Sequence, residues 1–326
     1  MVSTSGVLPA DGNSPGTALS SQSASISPLR IQNTSTPTTP LTFIEFFSGV
    51  GLVNAALSGL GWTCLFANDN DPKKNATYLA NYPTANLVDY DIQLVNAVDI
   101  PKATLATASF PCVDLSQAGN RRGINGEHSG VVWSFLRRIE TLVSQGRAPR
   151  YLLLENVPGL LTLHEGSSID ILLRNIAKLG YAFDLVQVDA RHFVPQARNR
   201  VFIIAGRGLP TSPFSLMPDD HIHRYKVRQA YERNRNLPWH FFNFPSLPKQ
   251  SPTTLADIIE PTRPDDPRWW PLEKLDYFWS HLEHDHAPRL AELLKAGEHT
   301  YLTAVRRGRR RGPREQIFNL RFDGLA

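Results

Sequence analysis

TFIEFFSGVGLVNAALSGLGWTCLFANDND, residues 42–71, holds one complete structural unit. TFIEFF (42–47) is a short, mostly large and apolar run bounded by glycine, which reads as a buried strand. SGVG (48–51) follows as a tight turn, and LVNAALSGLG (52–61) as a short helix closed by Gly61. WTCLFA (62–67) is a second buried strand, running out into Asn68-Asp69-Asn70-Asp71. Strand, glycine turn, helix and strand in this order make a βαβ unit, whose two strands lie parallel in one sheet.

Working outward, Pro72 is placed to open a helix over roughly 72–82. A third acidic strand end follows at Asp91, and the apolar run TLATASF (104–110) leads as a strand into Pro111 and Cys112. Helical patterning resumes over 131–145. YLLLENVPG (151–159) is a further buried strand, ending at Glu155-Asn156 before a Pro-Gly turn. A helix near 167–179 and strands near 183–189 and 200–206 complete the block. The alternation predicts an α/β fold, a doubly wound, mostly parallel sheet with helices on both faces. Such sheets bind ligands beyond the carboxyl ends of their strands. Gly49, Asp69, Asp91, Cys112 and Glu155 all fall at or just past a predicted strand end.

Three segments differ in composition. Residues 1–40 contain 20 Ser, Thr and Pro, with Asp11 and Arg30 as the charged side chains, too few apolar groups to offset the entropy of ordering. They read as a disordered tail. Residues 41–206 form the sheet domain. Beyond 207 the alternation stops, Pro, Arg and aromatics dominate, and helices are expected only near 273–283 and 287–296. The first 206 residues are neutral, with 15 basic and 15 acidic side chains, so the whole excess of +4 lies in 207–326, with 19 against 15. Arg306, Arg307, Arg309, Arg310, Arg311 and Arg314 supply much of it, in a cluster suited to a polyanion or to a solvated face. No apolar run approaches the ~18 residues a membrane helix needs, and no secretory signal is visible. Two cysteines in 326 residues fit a reducing, cytoplasmic compartment rather than a disulfide framework.

Cys112 follows a strand and a proline and precedes a long polar loop, where a thiol can face a cleft. Cys64, inside WTCLFA, reads as a core residue. Gly49 and Gly51 let backbone approach a cofactor, and Asp69, at the end of the next strand, can bind ribose hydroxyls. Asn54 stands where a dinucleotide fingerprint carries its third glycine, which favours a nucleoside cofactor without a pyrophosphate and counts against a nicotinamide enzyme. Glu155, after four apolar residues, is either paired with an arginine or a proton donor to a substrate ring. Gln196, Arg198 and Arg200 alternate in PQARNR, so an extended chain turns all three one way. His281, His284 and His286 lie in a charged helical stretch without a neighbouring cysteine, and no metal site is expected there.

Four stretches together carry a family resemblance: FFSGVGL (46–52), FPCVDLS (110–116), LENV (154–157) and QARNR (196–200). In this order and spacing the chain resembles the DNA cytosine-5 methyltransferases, S-adenosylmethionine-dependent enzymes typical of bacterial restriction–modification systems. The resemblance implies the Rossmann-like class I methyltransferase fold, with Phe47, Gly49, Gly51, Asp69 and Asp91 holding S-adenosylmethionine. It implies Cys112 as the nucleophile, Glu155 on the N3 and amino edge of cytosine, and Arg198 and Arg200 steadying the base and its phosphate. It makes residues 207–326 part of a target-recognition domain. Contacts to double-stranded DNA are then expected from Gln196, from Arg121 and Arg122 in a lid over the flipped base, and from Arg309, Arg310 and Arg311. A monomer at the bacterial nucleoid, acting beside a cognate restriction endonuclease, completes the expectation. Val113 departs from the family's frequent Gln, and the chain stops at RFDGLA where the family continues to a closing helix, so a truncated chain is expected. A tRNA cytosine-5 methyltransferase and a non-catalytic DNA-binding remnant are the alternatives.

Overall fold

The structure, a computed structural model, describes residues 41–111, 130–211, 216–249, 251–263, 265–296, 302–308 and 316–322. From Thr39 onward the chain forms one compact unit. Its first strand, β1 (Thr42–Phe46), is followed by helix α1 (Leu52–Ser58) and strand β2 (Thr63–Asn68). The predicted βαβ unit is therefore present, with its helix ending at Ser58 rather than Gly61. Helix α2 (Pro72–Asn81) starts on the proline, and the Asp71 carboxylate accepts the Lys73 and Lys74 amides of its first turn.

Strand β3 (Leu87–Val88) is two residues long, and Asp91 does not end it but caps a separate turn over Ile92–Leu94. Strand β4 (Leu105–Ala108), helix α3 (Val131–Ser144), strand β5 (Tyr151–Asn156), helix α4 (Ser167–Lys178) and strands β6 (Tyr181–Asp189) and β7 (Asn199–Arg207) complete the sheet. The strand order is β3-β2-β1-β4-β5-β7-β6. β1 pairs in parallel with β2 and β4, β4 with β5, and only β7 runs antiparallel to its neighbours. The order reverses between β1 and β4, which places the ligand crevice at their carboxyl ends.

Helices α3 and α4 supply one side of the core. Val132, Phe135, Leu136, Ile139 and Leu142 recur at helical spacing on α3 and are all buried, as are Leu172, Leu173 and Ile176 on α4. Beneath them β5 alternates: Leu152, Leu154 and Asn156 are buried, whereas Tyr151, Leu153 and Glu155 are only half-buried. β7 alternates likewise, with Val201, Ile203 and Ala205 buried and Phe202 and Ile204 half-buried. Helices were expected over both faces. Among the described residues, β5 and β7 are fully covered on one face, and the other faces the cleft described below.

After β7 the chain returns to the sheet. Helix α5 (Tyr225–Arg233), which the sequence did not announce, buries Val227, Ala230 and Tyr231. Tyr231, Trp239 and Phe241 gather with Phe183 of β6 into an aromatic cluster, and Trp239 bridges to Phe183. A single helical turn α6 (Leu255–Ile258), then helices α7 (Leu272–Ser280) and α8 (His286–Ala296) precede a hairpin of β8 (Thr303–Gly308) and β9 (Gln316–Arg321). The hairpin brackets the arginine cluster; Arg309, Arg310 and Arg311 lie outside the described residues. His286 accepts the Leu320 amide and His281 hydrogen-bonds to the Tyr277 carbonyl, so both tie α7 and the hairpin locally. No described helix is long and apolar enough to cross a membrane.

Candidate active site

At the switch point a cleft of about 600 Å³ opens beside the glycine turn. One wall is the loop after β1. Phe47 adopts a left-handed backbone (φ 56°), an uncommon conformation for a residue with a bulky side chain, and lines the cleft. Gly49 (φ 58°) has open space where a side chain would start, so its backbone is free for a ligand to approach. Gly51 (φ 89°) caps α1, and a Cβ there would come within 2.8 Å of the Tyr82 ring. Both glycines therefore serve the turn, one by openness and one by close packing.

Asp69 fixes this turn. Its carboxylate accepts the Gly49 amide at 2.9 Å on one oxygen and the Asp71 amide at 2.9 Å on the other. It is 7% exposed and, like Asp91, is not part of this cleft's lining. The Asp91 carboxylate accepts the Gln93 amide at 2.7 Å.

The opposite wall comes from β5 and β7. Glu155 at the end of β5 faces Arg200 at the start of β7, Oε1 to Nε at 2.7 Å, and both line the cleft with Arg198. Of the two readings open for Glu155, the arginine pairing is present and lies in the cleft itself, so the carboxylate is oriented by Arg200 toward whatever binds there. The Gln196 side chain is exposed and is not part of the cleft lining. Cys112, Arg121 and Arg122 lie outside the described residues. The approach to Cys112 is described: Ser109 pairs back to the Phe46 carbonyl, and the Asn156 side-chain amide donates to the Phe110 carbonyl at 2.8 Å. The backbone two residues before Cys112 is thus pinned to the end of β5, next to Glu155.

Three buried residues escaped the sequence reading. Asn156 is one. Asp189, 4% exposed at the end of β6, accepts the Arg191 and Arg198 amides on Oδ1 and the Arg191 guanidinium on Oδ2. It clamps the loop that delivers Arg198 and Arg200. Burial alone would raise its pKa, but these amides and the Arg191 charge outweigh that and hold it below the usual carboxylate value. Its stabilisation is therefore present above the unfolded carboxylate range and is lost as pH falls through the lowered folded value. Asp189→Ala should cost about 1–3 kcal/mol in denaturant melts at pH 7; unchanged stability would show that the loop holds itself. The third, Glu45 on β1, is 1% exposed and also lines the cleft. Its alternation with buried apolar neighbours in TFIEFF gave no hint of a role.

The chain is similar to proteins of known family. The chain is 37% identical over 163 residues to the type II methyltransferase M2.BsuMI of Bacillus subtilis strain 168, covering 50% of this chain and 41% of the relative. It is 34% identical over 196 residues to M.BsuFI of Bacillus subtilis, covering 60% of this chain and 46% of the relative. The chain thus spans less than half the length of these relatives. Among solved structures, a DNMT2 from Spodoptera frugiperda superposes over 68% of this chain and 60% of its own, at 20% identity and a TM-score of 0.49. The model of the C-5 cytosine-specific DNA methylases matches residues 41–319, from the first strand of the sheet into the last strand of the hairpin, and the chain belongs to that family.

Proposed function

We propose that this chain transfers a methyl group from S-adenosylmethionine to carbon 5 of cytosine in duplex DNA. The observation that carries the reading is the single cleft, which joins the glycine turn with Phe47 on one side to the Glu155–Arg200 pair with Arg198 on the other. The residues fit the cofactor: Gly49 offers open backbone, and Glu45 Oε1, Ser48 Oγ and Thr107 Oγ1 on the cleft wall are buried with no hydrogen-bond partner among the described residues. S-adenosylmethionine, when bound, supplies an electrophilic methyl group.

The protein's part is to make carbon 5 nucleophilic. Cys112 thiolate adds to carbon 6 of the ring, while Glu155, oriented by Arg200, holds the N3 and amino edge and stabilises the electron-rich ring. Carbon 5 then takes the methyl group, and loss of the carbon-5 proton expels the cysteine. A base inside the stack cannot be reached this way, so the cytosine must be turned out of the helix, with Arg198 and Arg200 available to its phosphate. Arg309, Arg310 and Arg311 would add sequence-independent phosphate contacts. A restriction endonuclease recognising the same site is the partner this reading implies.

The test is transfer of tritiated methyl groups to duplex DNA and to tRNA in parallel. Label in DNA at least tenfold above tRNA is the expected result, and Glu155→Gln should lower it by about 10²–10⁴-fold. Label in tRNA alone would overturn the substrate, and none in either would overturn the reaction.

A further inference from the structure

Glu45 is an unusual residue to find at the wall of a ligand cleft. It sits on the central strand β1, between Ala67 of β2 and Thr107 of β4 in the register of the sheet. Among the described residues its Oε1 is buried without a hydrogen-bond partner, and so are Ser48 Oγ and Thr107 Oγ1, two other atoms of the same cleft wall. Its Oε2 accepts one hydrogen bond, from the Tyr78 hydroxyl at 3.3 Å. That hydroxyl accepts in turn from Asn54 at 2.8 Å, and Ser58 donates to Asn54 at 2.7 Å. Among the described residues this carboxylate has one long hydrogen bond and no ion pair, which is too little to compensate an ionised group removed from water. Burial accordingly pushes Glu45 up to about 8; the Tyr78 hydrogen bond pulls the other way and the charge of Asp69 adds to the rise.

We propose that Glu45 is a proton-exchange group through which the cleft senses the charge of its ligand. In the free protein it is a neutral carboxylic acid. When a cation enters the cleft the acid yields its proton to solvent, leaving a carboxylate opposite the bound charge; no other bond changes and no electron moves. The proposal rests on the reading of the cleft as the S-adenosylmethionine site. That cofactor carries one positive charge more than its demethylated product. Once the charge has been lost, Glu45 takes a proton back, and the cleft holds the product less tightly than the substrate. A buried carboxylate that stayed ionised throughout would burden the free protein with an uncompensated charge.

The groups that face Glu45 leave it as the one poised to respond near neutral pH. From α2 come Tyr78 and, on the same cleft, Lys74; from β2 and its end come Cys64 and Asp69. Burial pushes both Tyr78 and Cys64 up, so both remain protonated. Thr107 on β4 and Asn54 on α1 do not titrate. Across the cleft stand Glu155, Arg198 and Arg200, with the first and last already paired.

The experiment is calorimetric titration of the full chain with S-adenosylmethionine and with S-adenosylhomocysteine, in buffers of different ionisation heat, between pH 6 and 9. For S-adenosylmethionine, release of nearly one proton per ligand at pH 6.5–7.5 is expected, with affinity rising about tenfold per pH unit there and levelling above pH ~8. S-adenosylhomocysteine should release little and bind with nearly constant affinity. Glu45→Gln should abolish the proton release, and Tyr78→Phe, which strips the carboxylate of its donor, should move the levelling point upward. Binding of S-adenosylmethionine without proton release, or undiminished release from Glu45→Gln, would overturn the proposal while leaving the cofactor reading intact. Binding of neither ligand would remove both. The wild-type proton count decides the matter even if a variant does not fold.

Discussion

Cys112→Ser should lower methyl transfer by about 10⁴-fold or more, to the background of the assay, because a serine hydroxyl at its ordinary acidity is a far weaker nucleophile than a thiolate. Cys64→Ser should leave activity near wild type. The two thiols differ in setting. Cys64 lies within β2, half-buried, with its Sγ 3.5 Å from the Phe66 carbonyl and 3.7 Å from the Tyr78 hydroxyl, and burial pushes its thiol up, away from reactivity. Cys112 lies outside the described residues; in the sequence it comes two residues after Phe110, whose carbonyl Asn156 pins. DNA carrying 5-fluorocytosine supplies the decisive readout. Fluorine cannot leave as a proton does, so the wild-type chain should be trapped on it covalently. A trapped adduct on Cys112→Ser, or full activity in that variant, would mean another residue attacks the ring.

The largest loss of stability is expected from Asp184→Ala. Asp184 is fully buried on β6, and its carboxylate accepts the Leu185 amide at 2.8 Å, the Phe242 amide at 3.0 Å and the His223 ring at 2.9 Å. His223 is equally buried, and its other ring nitrogen faces Asp220 at 2.9 Å. A carboxylate at each ring nitrogen makes both nitrogens donors, so His223 is an imidazolium. Removing Asp184 leaves one ring nitrogen of that buried cation and two amides without their acceptor, with only Asp220 still facing the ring, at a cost of about 3–5 kcal/mol. For His223, burial would lower the pKa, but the hydrogen bonds and charges of Asp184 and Asp220 prevail and raise it. A raised folded value means the stabilisation is complete below the unfolded histidine range and is lost as pH rises through the folded one. Glu45 adds a slope of the same sign between its ordinary value and about 8. The His223 share is therefore the difference between wild type and Asp184→Asn in thermal melts from pH 5 to 9. An Asp184→Ala protein that melts within ~2 °C of wild type at pH 6 would show that the cluster holds nothing together.

The sheet was legible because its punctuation is local. Glycine after β1, proline at the start of α2 and the Pro-Gly turn after Glu155 mark element ends by backbone geometry alone, and the observed boundaries follow them closely. The direction of β7 was not legible, since NRVFIIAGR has the same apolar character whichever way the strand runs. Nor was α5, because the aromatics around it answer to Phe183 and Trp239 rather than to a helical period. The same limit explains the hidden part of the site. Glu155 stood out as a charge at a strand end, whereas Glu45 takes its chemistry from Tyr78, 33 residues away, and Asp189 from an amide nine residues on. Residues that act through a partner far along the chain leave no spacing to read.

The end of β5 has a consequence for how the sequence can vary. Glu155 and Asn156 are neighbours on a strand, so they point to opposite faces, one into the cleft beside Arg200 and the other inward onto the Phe110 carbonyl. The acid that meets Arg200 in the cleft and the amide that holds the Phe110 carbonyl are thus adjacent letters with opposite addresses. Writing them as Asn-Glu would keep the composition and invert the site, with a carboxylate against a carbonyl oxygen inside the protein and a neutral amide before the arginine. What this dipeptide stores is its order, and the route from one order to the other runs through two simultaneous defects.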